Sequence, residues 1–174
     1  VGVARTGPVR VLGIDPALSC TGLGLVVAEG NSYRALAFDA VATPPRAAQP
    51  ERLVRIYEAV AGFIREQRPD EVAVEDFIVG HVRAAVAVGE ARAAAVLAAA
   101  NAGLPVSYYK PGQVKQFVTT YGRGSKEQVA AMVQALLDLP EPPAPADAAD
   151  ALAVALCHCL RRGAALAGTA LTAP

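Results

Sequence analysis

The chain has 174 residues, 53 % of them hydrophobic, enough for one domain with a two- or three-layer core. Its 16 basic and 16 acidic side chains cancel, which excludes a uniformly basic nucleic-acid binder. No stretch supplies the about 20 uninterrupted apolar residues that a membrane span needs, no signal peptide is visible, and three cysteines without a CxxC pair argue against a disulfide framework or a zinc knuckle.

Residues 1–8 are expected to be a flexible leader, as are residues from about 167 to 174 at the other end of a single 1–174 domain. From Val9, VRVLGID predicts a buried strand ending at Asp15. DPALSCTG predicts a turn, LGLVVAEG a second strand, EGNS at 29–32 a reversal, and YRALAFDAVAT a third strand. Short turns between three strands imply an antiparallel meander. After a Pro-rich loop, Arg52 to Arg65 places Leu53, Ile56, Val60, Phe63 and Ile64 at helical spacing. EVAVEDF then predicts a fourth strand, again closing in an acid, and the intervening helix makes it a parallel addition to the sheet. Residues 83–103 predict an Ala-rich helix, apolar almost all round, that must be covered on more than one side. Leu104 to Tyr109 predicts a fifth strand, followed by helices near 111–120, 125–138 and about 146–166. Cys157 and Cys159 are expected as buried reduced thiols with a structural His158 between them, which suits a reducing cytoplasm.

All three lysines, Lys110, Lys115 and Lys126, fall between residues 108 and 126 together with Arg123, in a segment without an acid. A neutral total therefore hides a local basic patch. The acids are patterned too. Asp15 and Glu75 each end an apolar strand, at the same end of what should be adjacent strands. Asp147 and Asp150 lie three apart in the first turn of the last helix, so both project from one face. Helix-dipole stabilisation accounts for one acid there. The same stripe continues as Ala151, Val154 and His158, and two carboxylates heading a buried stripe are costly unless a cation neutralises them. Magnesium-type cations take such oxygen ligands and keep several waters. Two of them form the standard device for in-line displacement at a phosphodiester.

VLGIDPALSCTGLGLV resembles the opening motif of the RuvC Holliday junction resolvases, and AVEDF their second motif. GQVKQFVTTYGRGSKEQVAAMV and DAADALAVALCH resemble the third and fourth, in consistent order over residues 9–162. The resemblance implies an α/β, ribonuclease-H-like fold: a mixed five-stranded sheet, three strands antiparallel and two parallel, flanked by helices. It implies a structure-selective endonuclease that resolves four-way DNA junctions in recombination and repair. The cuts would be paired and symmetric, dependent on magnesium or manganese with two ions per active site, and would leave 5′-phosphate and 3′-hydroxyl ends. It further implies a homodimer joined through the 83–103 helix, and a partnership with the RuvA–RuvB branch-migration complex. By position, the metal-binding and catalytic acids would be Asp15, Glu75, Asp147 and Asp150. Lys115 and Lys126 would contact DNA phosphates, helped by Arg123 and Lys110, and Phe77 would work at the unstacked junction centre. The family's glycine after Asp-Pro is Ala17 here. The rival reading is another ribonuclease-H-like nuclease, acting on RNA or non-junction DNA. An actin-like sugar kinase would need a second lobe for which 174 residues leave no room.

Overall fold

In the computed structural model, which describes residues 7–76, 82–119 and 125–170, the first three strands form the expected meander. They are β1 (Val9–Asp15), β2 (Cys20–Glu29) and β3 (Ser32–Ala42), paired antiparallel in succession. The β2–β3 reversal uses Gly30 at φ +58°, a conformation glycine adopts without penalty. Helix α1 (Gln49–Gln67) opens with Pro50, which cannot continue a helix backwards but starts one well. It buries Ile56, Val60 and Ile64, spaced four apart on one face, and closes at a left-handed Arg68 whose N–H donates to the Ile64 carbonyl. Asp70 then aligns the next strand with the first. Its carboxylate accepts the Arg10 N–H at 2.9 Å, and its own N–H donates to the Arg10 carbonyl at 2.8 Å.

Strand β4 (Glu71–Glu75) runs parallel to β1, and β5 (Val106–Tyr109) runs parallel to β4, with helix α2 (Val82–Asn101) between them. The sheet order is β3-β2-β1-β4-β5. Helices α3 (Pro111–Thr119), α4 (Lys126–Leu136) and α5 (Ala146–Ala170) complete the chain.

Strand alternation splits the core in two. Leu12, Ile14, Leu23, Leu25, Val72 and Val74 point toward α1 and α2. Val9, Val11, Val26, Ala73 and Tyr109 point the other way, toward α5, with α3 and α4 packed on the far side of that helix. Helix α5 is therefore enclosed, and every residue from Ala151 to Cys159 is buried. Asp15 and Glu75 share the parity of Val11 and Ala73, so both belong to the α5 face.

Some boundaries differ from expectation. Strand β2 begins at Cys20 rather than Leu23, because the turn is confined to 16–19 by the Thr21 hydroxyl donating to the Ala17 carbonyl at 2.8 Å. Strand β4 ends at Glu75. Helix α2 stops at Asn101, and Gly103 (φ +71°) reverses the chain. Helix α5 continues past 166 to Ala170, through Gly168 and Thr169.

Candidate active site

Asp15 and Glu75 are the last residues of two hydrogen-bonded parallel strands, whose register pairs Ile14 with Val74 just before them. Their side chains point to the same face and hydrogen-bond each other in a half-buried setting. Burial pushes Glu75 up to about 8, reinforced by the charge of Asp15 beside it. Burial also raises Asp15, partly offset by its hydrogen bond from Glu75. Without a cation, burial and mutual repulsion both disfavour a second charge on this pair.

The second pair reaches them through an unusually close helix–sheet contact. An added Cβ at Gly22 would stand 1.9 Å from the Asp147 carbonyl oxygen, one at Gly13 2.0 Å from that of Ala151, and one at Gly24 2.7 Å from the Leu152 nitrogen. Only glycine lets α5 lie so low on β1 and β2. Asp147 and Asp150 occupy the first turn of that helix, as expected, and their charges act on Asp15. Asp147 accepts a hydrogen bond from the Cys20 thiol, and burial together with that carboxylate drives the thiol up to about 11. Asp150 accepts from Lys126 Nζ at 3.1 Å, and this bond raises the lysine above its ordinary value.

Lys126 is presented by the start of α4, where Ser125 and Gln128 form a reciprocal capping box. Lys115 comes from α3. Asp15, Glu75, Asp150, Lys115 and Lys126 line one cleft of about 330 Å³. Asp147 is not on its wall, and Lys110 is exposed at the head of α3, where its N–H is held by Gln113. Phe77 and Arg123 lie outside the described residues.

The turn after Asp15 is clamped from outside. Arg52 Nη2 donates to the Leu18 carbonyl at 3.1 Å, Arg52 Nε donates to the Thr43 hydroxyl at 2.7 Å, and that hydroxyl donates to the same carbonyl. Ala17 does not adopt a positive φ, so this turn accepts an alanine. Directly after Glu75, the Asp76 carboxylate pairs with Arg92 of α2. Sequence reading missed both clamps, the thiol of Cys20 and the glycine seat. Only the seat carried a signal: glycines alternating inside a strand mark close approach of another backbone.

Among the described residues, no three His, Cys, Asp or Glu side chains are already drawn together tightly enough to cage a metal ion. The donor chemistry nevertheless suits a hard dication. Carboxylates from three elements face one cleft, and burial beside each other raises two of them above the usual carboxylate range.

The family model described as crossover junction endodeoxyribonuclease RuvC matches residues 11–158. The curated protein of that name from Heliobacterium modesticaldum is 49 % identical over 158 residues, 89 % of this chain and 98 % of the relative. Its namesake from Alkaliphilus oremlandii is 48 % identical over 149 residues, 85 % and 91 % of the two chains. Among solved structures, RuvC of T. thermophilus in complex with Holliday junction substrate superposes with a TM-score of 0.86 at 40 % identity, covering 90 % of this chain and 96 % of that one. The mixed sheet is thus the ribonuclease-H-like arrangement. With near full-length matches in both sequence and structure, the chain belongs to the crossover junction endodeoxyribonuclease RuvC family.

Proposed function

We propose that this chain resolves four-way DNA junctions by paired symmetric cuts during recombination and repair, with Asp15, Glu75, Asp147 and Asp150 as its catalytic acids. The observation that carries the reading is the cleft in which strand-end and helix acids face Lys115 and Lys126. Asp15, Glu75 and Asp150 would hold magnesium or manganese, as two ions per site, from the cleft wall, with Asp147 completing the set from the first turn of α5. Such ions would supply the positive charge that favours water attack on the scissile phosphorus and departure of the 3′-oxygen. Lys115 and Lys126 hold phosphates of the incoming strand, Lys126 exchanging Asp150 for a phosphate oxygen. Lys110, Arg123 and Phe77 extend the contact along the backbone and toward the junction centre.

A homodimer matches the two-fold symmetry of the junction. Its interface is assigned to α1 and α2, where Val54, Val86 and Leu97 are each more than half exposed around an apolar groove of about 380 Å³. No helix among the described residues is long and apolar enough to cross a membrane. The reading places the protein in the cytoplasm, in partnership with the RuvA–RuvB branch-migration complex.

The test is cleavage of a mobile four-way junction against a matched linear duplex, with magnesium, manganese or chelator. Paired, ligatable cuts confined to the junction and dependent on metal are expected. Asp150→Asn should lower the cleavage rate by about a thousandfold or more, a loss of several kcal/mol of transition-state stabilisation, while junction binding persists. Equal cutting of linear duplex, or cutting of RNA alone, would move the chain to another substrate.

A further inference from the structure

We propose that Tyr109 and His158 are positioning residues for the acidic cleft, setting the spacing between Glu75 on β4 and Asp150 on α5; this rests on the nuclease reading above. Helix α5 carries half of the acids and lies on the glycines of β1 and β2, where the Cys20 thiol ties its first turn to the sheet and the rest of the contact is apolar. Apolar contacts allow close approach but set no direction. Three turns farther along, the helix acquires a buried polar network.

The His158 ring is buried, and its Nε2 lies 2.6 Å from Glu71 Oε2. The other oxygen of Glu71 accepts from Arg162. An ionised carboxylate only accepts, so Nε2–H donates to it, and in the neutral ring Nδ1 is left as an acceptor. The Tyr109 hydroxyl donates to that nitrogen at 2.8 Å. The two rings meet edge to face at 88°, and the Arg161 guanidinium lies 5.8 Å from the tyrosine centroid.

Tyr109 is also the register partner of Glu75, and its carbonyl accepts the Asp76 N–H at 2.7 Å. One residue therefore grips the strand end that bears Glu75 with its main chain, and the helix that bears Asp150 with its phenol. Glu71 closes the circuit from the other end of the same strand. Asp150 and His158 are eight residues apart, about 12 Å along the helix axis, so turning the helix at His158 turns the carboxylate as well. Apolar side chains would fill the same space without the cost of burying polar groups. What the polar circuit adds is direction, and a metal-assembling site has to be held to within about 0.5 Å.

The test compares Tyr109→Phe, His158→Leu and His158→Gln with Val60→Ala, a core change in α1 on the opposite side of the sheet. Manganese binding to the DNA-free protein is measured by calorimetry, junction affinity in chelator by gel shift, and melting temperature alongside. Tyr109→Phe and His158→Leu should weaken manganese binding about tenfold, which is about 1.4 kcal/mol, and slow cleavage at saturating junction. Junction affinity in chelator should stay within twofold. His158→Gln, which can still donate to Glu71, should recover part of the loss. Val60→Ala should lower melting temperature while leaving manganese affinity unchanged. Equal manganese loss in Val60→Ala, or unchanged manganese affinity in both Tyr109→Phe and His158→Leu, would reduce the network to plain stability and overturn the proposal. Failure of the wild-type chain to cut junctions would instead strike the nuclease reading.

Discussion

Glu75 illustrates what one buried acid does to the metal-free molecule. Its value is raised from 4.5 to about 8, so the folded state favours its protonated form. The associated stability is fully present below about pH 4.5 and is lost as pH rises toward 8. In chelator, melting temperature should therefore fall across that window. Glu75→Gln, permanently neutral, should flatten the fall, and calorimetric scans at several pH values check it. A wild-type curve that rises over the same window would contradict the raised Glu75 carboxyl. Lys115 makes a different forecast, since it faces the acids across the cleft. Lys115→Ala should weaken junction binding and reduce the slope of log affinity against log salt by about 0.9 for one lost phosphate contact, read by titration across salt concentrations. That Asp15, Glu75 and Asp150 meet in one cleft was legible in the sequence, because folding does not require a carboxylate to close an apolar strand, and the helix dipole accounts for only one acid at the head of a buried stripe. The contact of Lys126 with Asp150 was not, because it joins residues 24 apart that only the packing of α4 on α5 brings together. Tyr109 and His158 were hidden for the same reason.

Elements were legible where their period was clean. The apolar runs VRVLGID and EVAVE predicted strands, the helix between them predicted their parallel order, and the Ile56–Val60–Ile64 stripe predicted α1. Element ends depended on interactions that periodicity does not encode. The start of β2 depends on a threonine hydroxyl, and the close of α1 on a left-handed arginine. The glycine seat lies between these cases, because its spacing was visible and its partner was not. It yields a sharp expectation. In Gly22→Ala, the new methyl would meet the Asp147 carbonyl oxygen at 1.9 Å, and backbone cannot step aside as a flexible side chain does. Helix α5 must lift, at a cost of about 1–3 kcal/mol for overpacking, and its first turn moves away from Asp15. Cleavage should fall far more than melting temperature does, whereas Gly112→Ala, with nothing within 4 Å of the added methyl, should leave cleavage near wild type. Parallel melting and junction-cleavage assays separate the two.

At the scale of the whole molecule, the mixed sheet followed from reading the elements in sequence, whereas the cover that α3 and α4 give α5 did not, and the proposed partner copy lies beyond what one chain displays. The Ala-rich α2 was expected to need cover on more than one side, and Leu97 remains 54 % exposed. On the proposed homodimer, Leu97→Lys should give monomer in sedimentation and replace paired cuts by slow single nicks. A fully dimeric variant would move the interface elsewhere. The enclosure of α5 also has a consequence for the order in which the molecule comes into being. This helix is last in the chain yet lies at the centre of the core between the sheet and α3–α4. A ribosome delivers the five strands first, with their glycine-lined face uncovered. Neither half of the acidic cleft can meet the other until Ala146 through Cys159 has emerged. On the proposed reading, a chain that stops short of α5 lacks Asp147 and Asp150 as well as the centre of its core, so the segment that completes the fold also completes the acidic site.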